Sequence, residues 1–132
     1  MTGATVALVL LAHLFGDYVA QSHWMATEKT KRWLPAVLHG ITYTACYLLV
    51  IRSLPALAVI GVSHVVIDRY RLARHVVWAK NHIAPRAAWR PWVDCSATGY
   101  PSDVPAWLAV WLLIVCDNAL HLAINVAAVM WL

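Results

Sequence analysis

The chain has 132 residues, 62% of them hydrophobic and 12% charged, with ten Lys and Arg against six Asp and Glu. Soluble domains carry about 25% charged residues, so this composition excludes an ordinary soluble enzyme, a disordered tail and a coiled coil. The three cysteines, an odd number, exclude a disulfide-stapled secreted domain. What remains is an all-α integral membrane protein, in which a net charge of +4 bears on orientation rather than on a nucleic-acid partner.

Four apolar stretches suggest a four-helix membrane bundle forming one domain, given that a spanning helix needs about 20 mostly apolar residues. The first covers residues 4–21. It carries His13 and Asp17 and lacks a basic leader, so it reads as a span rather than a cleaved signal. A basic loop leads to the second, residues 34–51. After a tight turn at Arg52, Pro55 opens the third in its first turn, where a missing N–H costs little. This span covers residues 55–70, and the helix is expected to run on through RLARHVVWAKNH to Pro85. Residues 71–103 form a long segment rich in Trp, Arg and Pro, with Trp78, Trp89 and Trp92 as interfacial anchors. The fourth stretch covers 104–132, with Ser102 or Asp103 as its cap and Pro105 in its first turn.

Charge sets the expected orientation. Lys29, Lys31, Arg32, Arg69, Arg71, Arg74, Lys80, Arg86 and Arg90 lie on one side, and Arg52 alone lies on the other. The positive-inside rule then places the basic loops in the cytoplasm and both termini outside a bacterial inner membrane, with the lipid bilayer as the main partner.

The informative residues are polar ones inside the spans. His13 and Asp17, His64 and Asp68, and Asp117 and His121 are each four apart, so each pair shares a helix face; His39 stands alone on the second span. At a rise of about 1.5 Å per residue the seven fall in one layer, nearer the cytoplasmic side. A centrally buried Asp costs roughly 2.5–3.5 kcal/mol, so three would cost about 8–10 kcal/mol if uncompensated. One or two divalent cations are the simplest compensation. Zinc is favoured, with manganese or iron also compatible, because imidazole and carboxylate are ordinary ligands of these ions. Gln21, Asn118 and Asn125 read as hydrogen-bond donors behind the ligands. Tyr43 and Tyr47 read as packing residues beside the same layer, and Gly16 as a point of close helix approach. Arg71 and His75 continue the His64/Asp68 stripe out of the membrane, where they could hold an anionic headgroup or phosphate, and Arg69 or Arg71 could steer an anionic substrate. Two alternatives stay open: a metal-free polar network that forms a proton or ion path, and a purely structural clamp.

These residues also carry a resemblance. AHLFGDYVAQ (Ala12 to Gln21), Lys29 in its basic loop, LHGITYT around His39, SHVVIDRYR around His64 and Asp68, and CDNALHL around Asp117 and His121 resemble the DUF3307 family of small bacterial and phage membrane proteins. The Trp-rich third connection is similar to the actinobacterial and phage branch of that family. The resemblance implies a topology and the importance of these positions, without an activity.

The function expected is a metal-dependent hydrolase acting on an ester or phosphoester of a lipid or membrane-associated substrate. A metal or ion carrier or sensor, and a non-catalytic membrane interaction module, are the competing classes. A lipid substrate and a homo-oligomer are both compatible with the sequence.

Overall fold

The structure, a computed structural model, describes residues 2–132 and is all-helical among them. Its elements are α1 (Gly3–Leu14), continued by a π-turn (Phe15–Val19), then α2 (His23–Glu28), α3 (Trp33–Tyr47), α4 (Leu54–Tyr70), α5 (Leu72–Lys80), α6 (Trp92–Cys95) and α7 (Ala106–Trp131). Two short 3₁₀ turns lie between α5 and α6, at Asn81–Ile83 and Arg86–Ala88. The chain divides into two compact units. One comprises Met1–Tyr70 with His121–Leu132, and the other Arg71–Leu120.

In the first unit, Thr2 caps α1 by accepting from the Thr5 amide at 3.2 Å. The helix then widens, and the Ala20 amide reaches back five residues to the Phe15 carbonyl at 2.9 Å. Here the backbones come close: a Cβ on Gly16 would stand 2.8 Å from the Tyr43 ring and 3.3 Å from its Cα. Ser22 accepts from the Met25 amide at 3.2 Å and starts α2, a short helix inside what the sequence presents as a plain loop. The apolar core joins Val9, Ala12, Tyr43, Tyr47, Ala56, Leu57, Ile60 and Ala128.

Buried histidines share the interior with this core while several large apolar side chains face outward. His13, His39 and His64 are 0% exposed, whereas Leu11 is 61% exposed, Phe15 55% and Val62 64%. A water-soluble domain buries such apolar side chains first.

Among the described residues one helix, Ala106–Trp131, is long and apolar enough to cross a membrane; the run Gly3–Val19 is apolar but shorter. The second predicted span is shorter than its apolar run. α3 ends at Tyr47, and its 15 residues rise only about 22 Å. The continuous extension of the third helix is replaced by a break. Arg71 takes a left-handed conformation, φ 52°, between α4 and α5, a region a non-glycine residue enters only when its surroundings hold it there. The Arg71 guanidinium donates to the Ala97 carbonyl at 2.8 Å, which ties the break to the second unit's loop. At the fourth stretch neither Ser102 nor Asp103 caps the helix. The Leu108 and Ala109 amides bond to the Pro105 carbonyl, both at 3.0 Å, so Pro105 precedes the first turn instead of lying in it.

In the second unit, the loop after α6 is clasped onto α5. Arg74 donates to the Ser96 carbonyl at 2.9 Å and Asn81 to the Gly99 carbonyl at 3.2 Å. Gly99 has φ +85°, and a Cβ there would run into the Arg74 carbonyl and Val77.

Candidate metal centre

Four of the seven sequence-selected residues converge in the first unit. Asp17 comes from the π-turn, His39 from the middle of α3, and His64 and Asp68 from one face of α4. One donor atom from each lies within 4.8 Å of all the others, and all four residues are buried. His39 Nε2 lies 3.2 Å from Asp17 Oδ1 and 3.4 Å from Asp68 Oδ2. His64 Nε2 lies 3.2 Å from Asp68 Oδ2, 3.9 Å from Asp17 Oδ1 and 2.9 Å from His39 Nε2. These separations bracket the edge of about 3.3 Å that a tetrahedron has when its centre binds N and O ligands at roughly 2.0–2.1 Å.

Hydrogen bonds and a metal compete for these atoms. Each neutral imidazole has one N–H, and from Nε2 it can go from His39 to Asp17 and from His64 to Asp68. With those protons on Nδ1 instead, the four atoms present lone pairs that could hold a cation. The Nδ1 atoms of His39 and His64 are buried without a hydrogen-bond partner among the described residues. The orienting bond that a ligating histidine ordinarily gives from its second nitrogen is therefore absent at both. Ring contacts hold the imidazoles instead. His64 stacks on Tyr43 with centroids 3.7 Å apart and planes at 12°, and His39 meets His64 edge-on at 4.7 Å.

The sequence places Lys29 among the orienting charges and in the basic loop that resembles the family, but not among the members of this layer. Its ammonium, at the end of α2, donates to Asp68 Oδ2 at 2.7 Å and lies 3.8 Å from Asp17 Oδ1. Lys29 thus offsets part of the carboxylate charge. The signal for it in the sequence was its place in the basic loop among the stretches that resemble the family.

The other candidates occupy distinct places. Gln21 brings its side-chain amide to 2.7 Å from His39 Nε2, the same nitrogen that faces Asp17, Asp68 and His64, so it competes for that atom instead of standing behind it. His121 lies 3.5 Å from Asp68 Oδ1, on the carboxylate oxygen facing away from Lys29. His13 stands outside the four-donor group: its Nδ1 is 2.8 Å from the Tyr43 hydroxyl. His13 lies in α1 and Asp17 in the π-turn that follows it. Asn125 donates to the Tyr43 and Tyr47 hydroxyls at 2.6 and 2.7 Å, and Tyr47 donates to the Val9 carbonyl at 3.3 Å. Tyr43 and Tyr47 are thus buried packing residues whose hydroxyls form a polar chain.

Asp117 precedes His121 by one turn on α7 and belongs to the second unit, and Asn118 beside it donates to the Ile114 carbonyl at 2.7 Å. The residues read as anion-steering are engaged within the fold. Arg69 donates to the Thr30 carbonyl at 2.6 Å and the Lys31 carbonyl at 3.2 Å, Arg71 donates to Ala97, and His75 stacks on Trp92 at 4.3 Å.

No curated protein and no solved structure matches the chain. A family model does: that of a protein family of unknown function, DUF3307, over residues 5–90. That stretch holds Asp17, Lys29, His39, His64 and Asp68, and the chain accordingly belongs to the DUF3307 family.

Proposed function

We propose that this chain is a multi-pass protein of the bacterial inner membrane that holds a divalent cation, zinc first among the compatible ions, between Asp17, His39, His64 and Asp68. We read it as a hydrolase of an ester or phosphoester on a lipid or membrane-associated substrate. The observation that carries the metal reading is the convergence of four buried donor atoms, all within 4.8 Å of one another, with the imidazole nitrogens 2.9–3.9 Å from each other and from the carboxylate oxygens. The apolar outer faces and buried histidines support a lipid setting, and the nine-to-one distribution of basic residues supports cytoplasmic loops. Helices of 15 to 17 residues would need a locally thinned bilayer or added turns.

Four protein ligands close a tetrahedron, whereas catalytic sites keep a corner for water. Asp68 is the donor whose release would open that corner, because Lys29 holds its Oδ2 from outside the tetrahedron and His121 Nε2 stands 3.5 Å from its Oδ1. A divalent ion at such a site supplies Lewis acidity and lowers the pKa of water. Asp68, retained by Lys29, would then accept the proton of the attacking water, and the Lys29 ammonium would meet the oxygen that becomes negative.

The test is elemental analysis of the full-length protein purified without chelator. The reading expects at least one divalent ion per chain in the wild type and loss in His39→Ala and Asp17→Asn. Less than stoichiometric metal in the wild type, with the fold intact, overturns it.

One observation favours a second reading, a proton or ion path. The polar chain runs on from His13 through Tyr43, Tyr47 and Asn125 to the Val9 carbonyl, toward the opposite end of α1. Ion flux in reconstituted vesicles that is lost in Tyr47→Phe would favour it over hydrolysis.

A further inference from the structure

The second unit contains a pocket that the metal reading does not use. It is a cavity of about 340 Å³ whose wall includes Trp78, Lys80, Asn81, His82, Arg90 and Tyr100. It shares no residue with the His/Asp layer. Its chemistry is cationic and aromatic. The Lys80 ammonium lies 5.5 Å above the centre of the Tyr100 ring and makes no ion pair among the described residues. Arg90 Nη2 is 3.8 Å from Asp103, but both side chains are more than half exposed, and such a pair contributes little.

The other cations of this unit are engaged elsewhere. Arg71 and Arg74 donate to loop carbonyls, and Arg86 lies over Trp89 at 5.7 Å. Lys80 and Arg90 are the two that face the cavity without a strong partner.

The walls are fixed before any ligand arrives. His82 Nδ1 donates to the Trp78 carbonyl at 2.8 Å, because a carbonyl only accepts, so the imidazole leaves Nε2 for a further partner. The indole of Trp78 donates to the Arg90 carbonyl at 3.0 Å, which anchors that residue's backbone. Asn81 holds the Gly99 carbonyl, and with it the loop that carries Tyr100. Preorganised donors lose little entropy on binding. A bare phosphate would leave most of the volume unfilled, whereas an organic stem would pack on Trp78 and Tyr100. Ile83 and Val93, 89% and 77% exposed, add bare apolar surface to the same segment, which suits a site that works against a lipid surface.

We propose that this pocket binds a phosphate ester, with the anion between Lys80 and Arg90 and the organic stem against Trp78 and Tyr100. A phospholipid headgroup and a soluble phosphate monoester share this chemistry.

The test uses the full-length protein in an uncharged detergent and follows Trp emission during titration. The probes are glycerol 1-phosphate and the dihexanoyl forms of phosphatidylglycerol and phosphatidylcholine. The proposal expects a saturable change with glycerol 1-phosphate or phosphatidylglycerol. Half-saturation should rise at least about tenfold in the double variant Lys80→Gln/Arg90→Gln, as for loss of a charge-assisted hydrogen bond. Lys80→Arg, which keeps the charge, should bind like the wild type, and Arg86→Gln should stay within about twofold. Saturation by glycerol 1-phosphate identifies a soluble ester; saturation by phosphatidylglycerol alone identifies a headgroup. No saturation by either anionic probe, equal binding by phosphatidylcholine, or an unaltered double variant overturns the proposal.

Discussion

Lys29 Nζ lies 2.7 Å from Asp68 Oδ2, so a loop residue from the end of α2 reaches a carboxylate on α4 that is 5% exposed. The same ammonium is 3.8 Å from Asp17. Two carboxylates and one ammonium leave one negative charge among neutral imidazoles. A divalent ion bound by both carboxylates balances them without Lys29. The ammonium and the proposed ion are therefore electrostatic competitors for Asp68, although both can be present when Asp68 stays with Lys29.

Replacing Lys29 with Met separates these roles. Without metal, two buried carboxylates lose their nearest cation. Breaking a fully buried pair costs about 3–5 kcal/mol, and the partial exposure of Lys29, 15%, brings the expected loss nearer about 2 kcal/mol. With zinc, the competition is gone. Lys29→Met is expected to melt lower than wild type in chelator, to regain stability on adding zinc, and to bind zinc about tenfold more tightly in competition with a chelating dye. Weaker zinc binding by the variant would contradict the competition.

Tyr43 performs two separable tasks. Its ring stacks on His64, and its hydroxyl meets His13 and Asn125. Tyr43→Phe keeps the stack and leaves His13 Nδ1 and one Asn125 bond without that partner in a buried setting. Stranding buried polar groups costs about 1–3 kcal/mol, while Tyr43→Ala also opens a cavity and should cost roughly 3–5 kcal/mol. Thermal unfolding in detergent should order the three proteins accordingly, and metal content should fall only in Tyr43→Ala, where the support for His64 is lost. A loss of metal in Tyr43→Phe as large as in Tyr43→Ala would show that the hydroxyl, not the stack, supports the site.

The sequence showed some of this arrangement and concealed the rest for identifiable reasons. His64 and Asp68 were legible as neighbours because i,i+4 spacing on a regular helix fixes their proximity. Asp17 and His13 obey the same spacing, yet only Asp17 joins the four-donor group, and Asp17 lies in the π-turn Phe15–Val19 that follows α1. Nothing in FGDYV announces such a turn. Lys29 was hidden by the reach of its own stem: four methylenes carry the charge from a loop to a layer that sequence position alone does not connect. The break at Arg71 was hidden because no glycine or proline marks it. Its left-handed backbone coexists with a tertiary hydrogen bond to Ala97, 26 residues on. The apolar composition made the helical class legible, but not the lengths, and α3 stops at Tyr47 although apolar residues continue to Ile51.

Gly16 tests how closely the π-turn must approach α3. A methyl group there would meet the Tyr43 ring at 2.8 Å and the Tyr43 Cα at 3.3 Å. The ring cannot swing away without leaving His64 and Asn125, and the backbone cannot move without moving His39, four residues earlier on α3. Overpacking of this kind costs about 1–3 kcal/mol. Gly16→Ala is expected to lower the unfolding temperature and the metal content together, whereas Gly3→Ala, with nothing within 4 Å, should change neither. A stable Gly16→Ala protein that keeps its metal would show that the turn tolerates a wider separation.

Cys95 reports on the clasped loop of the second unit. Its side chain is buried, 2% exposed, and burial raises its thiol pKa above the ordinary value, with Asp94 adding to the shift. The thiolate is the reactive form, so the sign is clear: alkylation should be slow near neutral pH and should accelerate as pH rises toward the elevated pKa. Access matters as well as ionisation. Arg74→Gln removes the guanidinium bond to Ser96, the residue next to Cys95, while leaving the charges of Asp94 and Arg90 in place. Its expected effect is faster labelling at every pH with little change in the shape of the pH profile, because opening the loop exposes the thiol more than it alters the local charge. Mass spectrometry of maleimide-treated protein, resolved by peptide, separates Cys95 from the half-buried Cys46 and Cys116. Rapid labelling of Cys95 in the wild type at neutral pH would show that the loop is open in solution and that the clasp made by Arg71, Arg74 and Asn81 does not hold it.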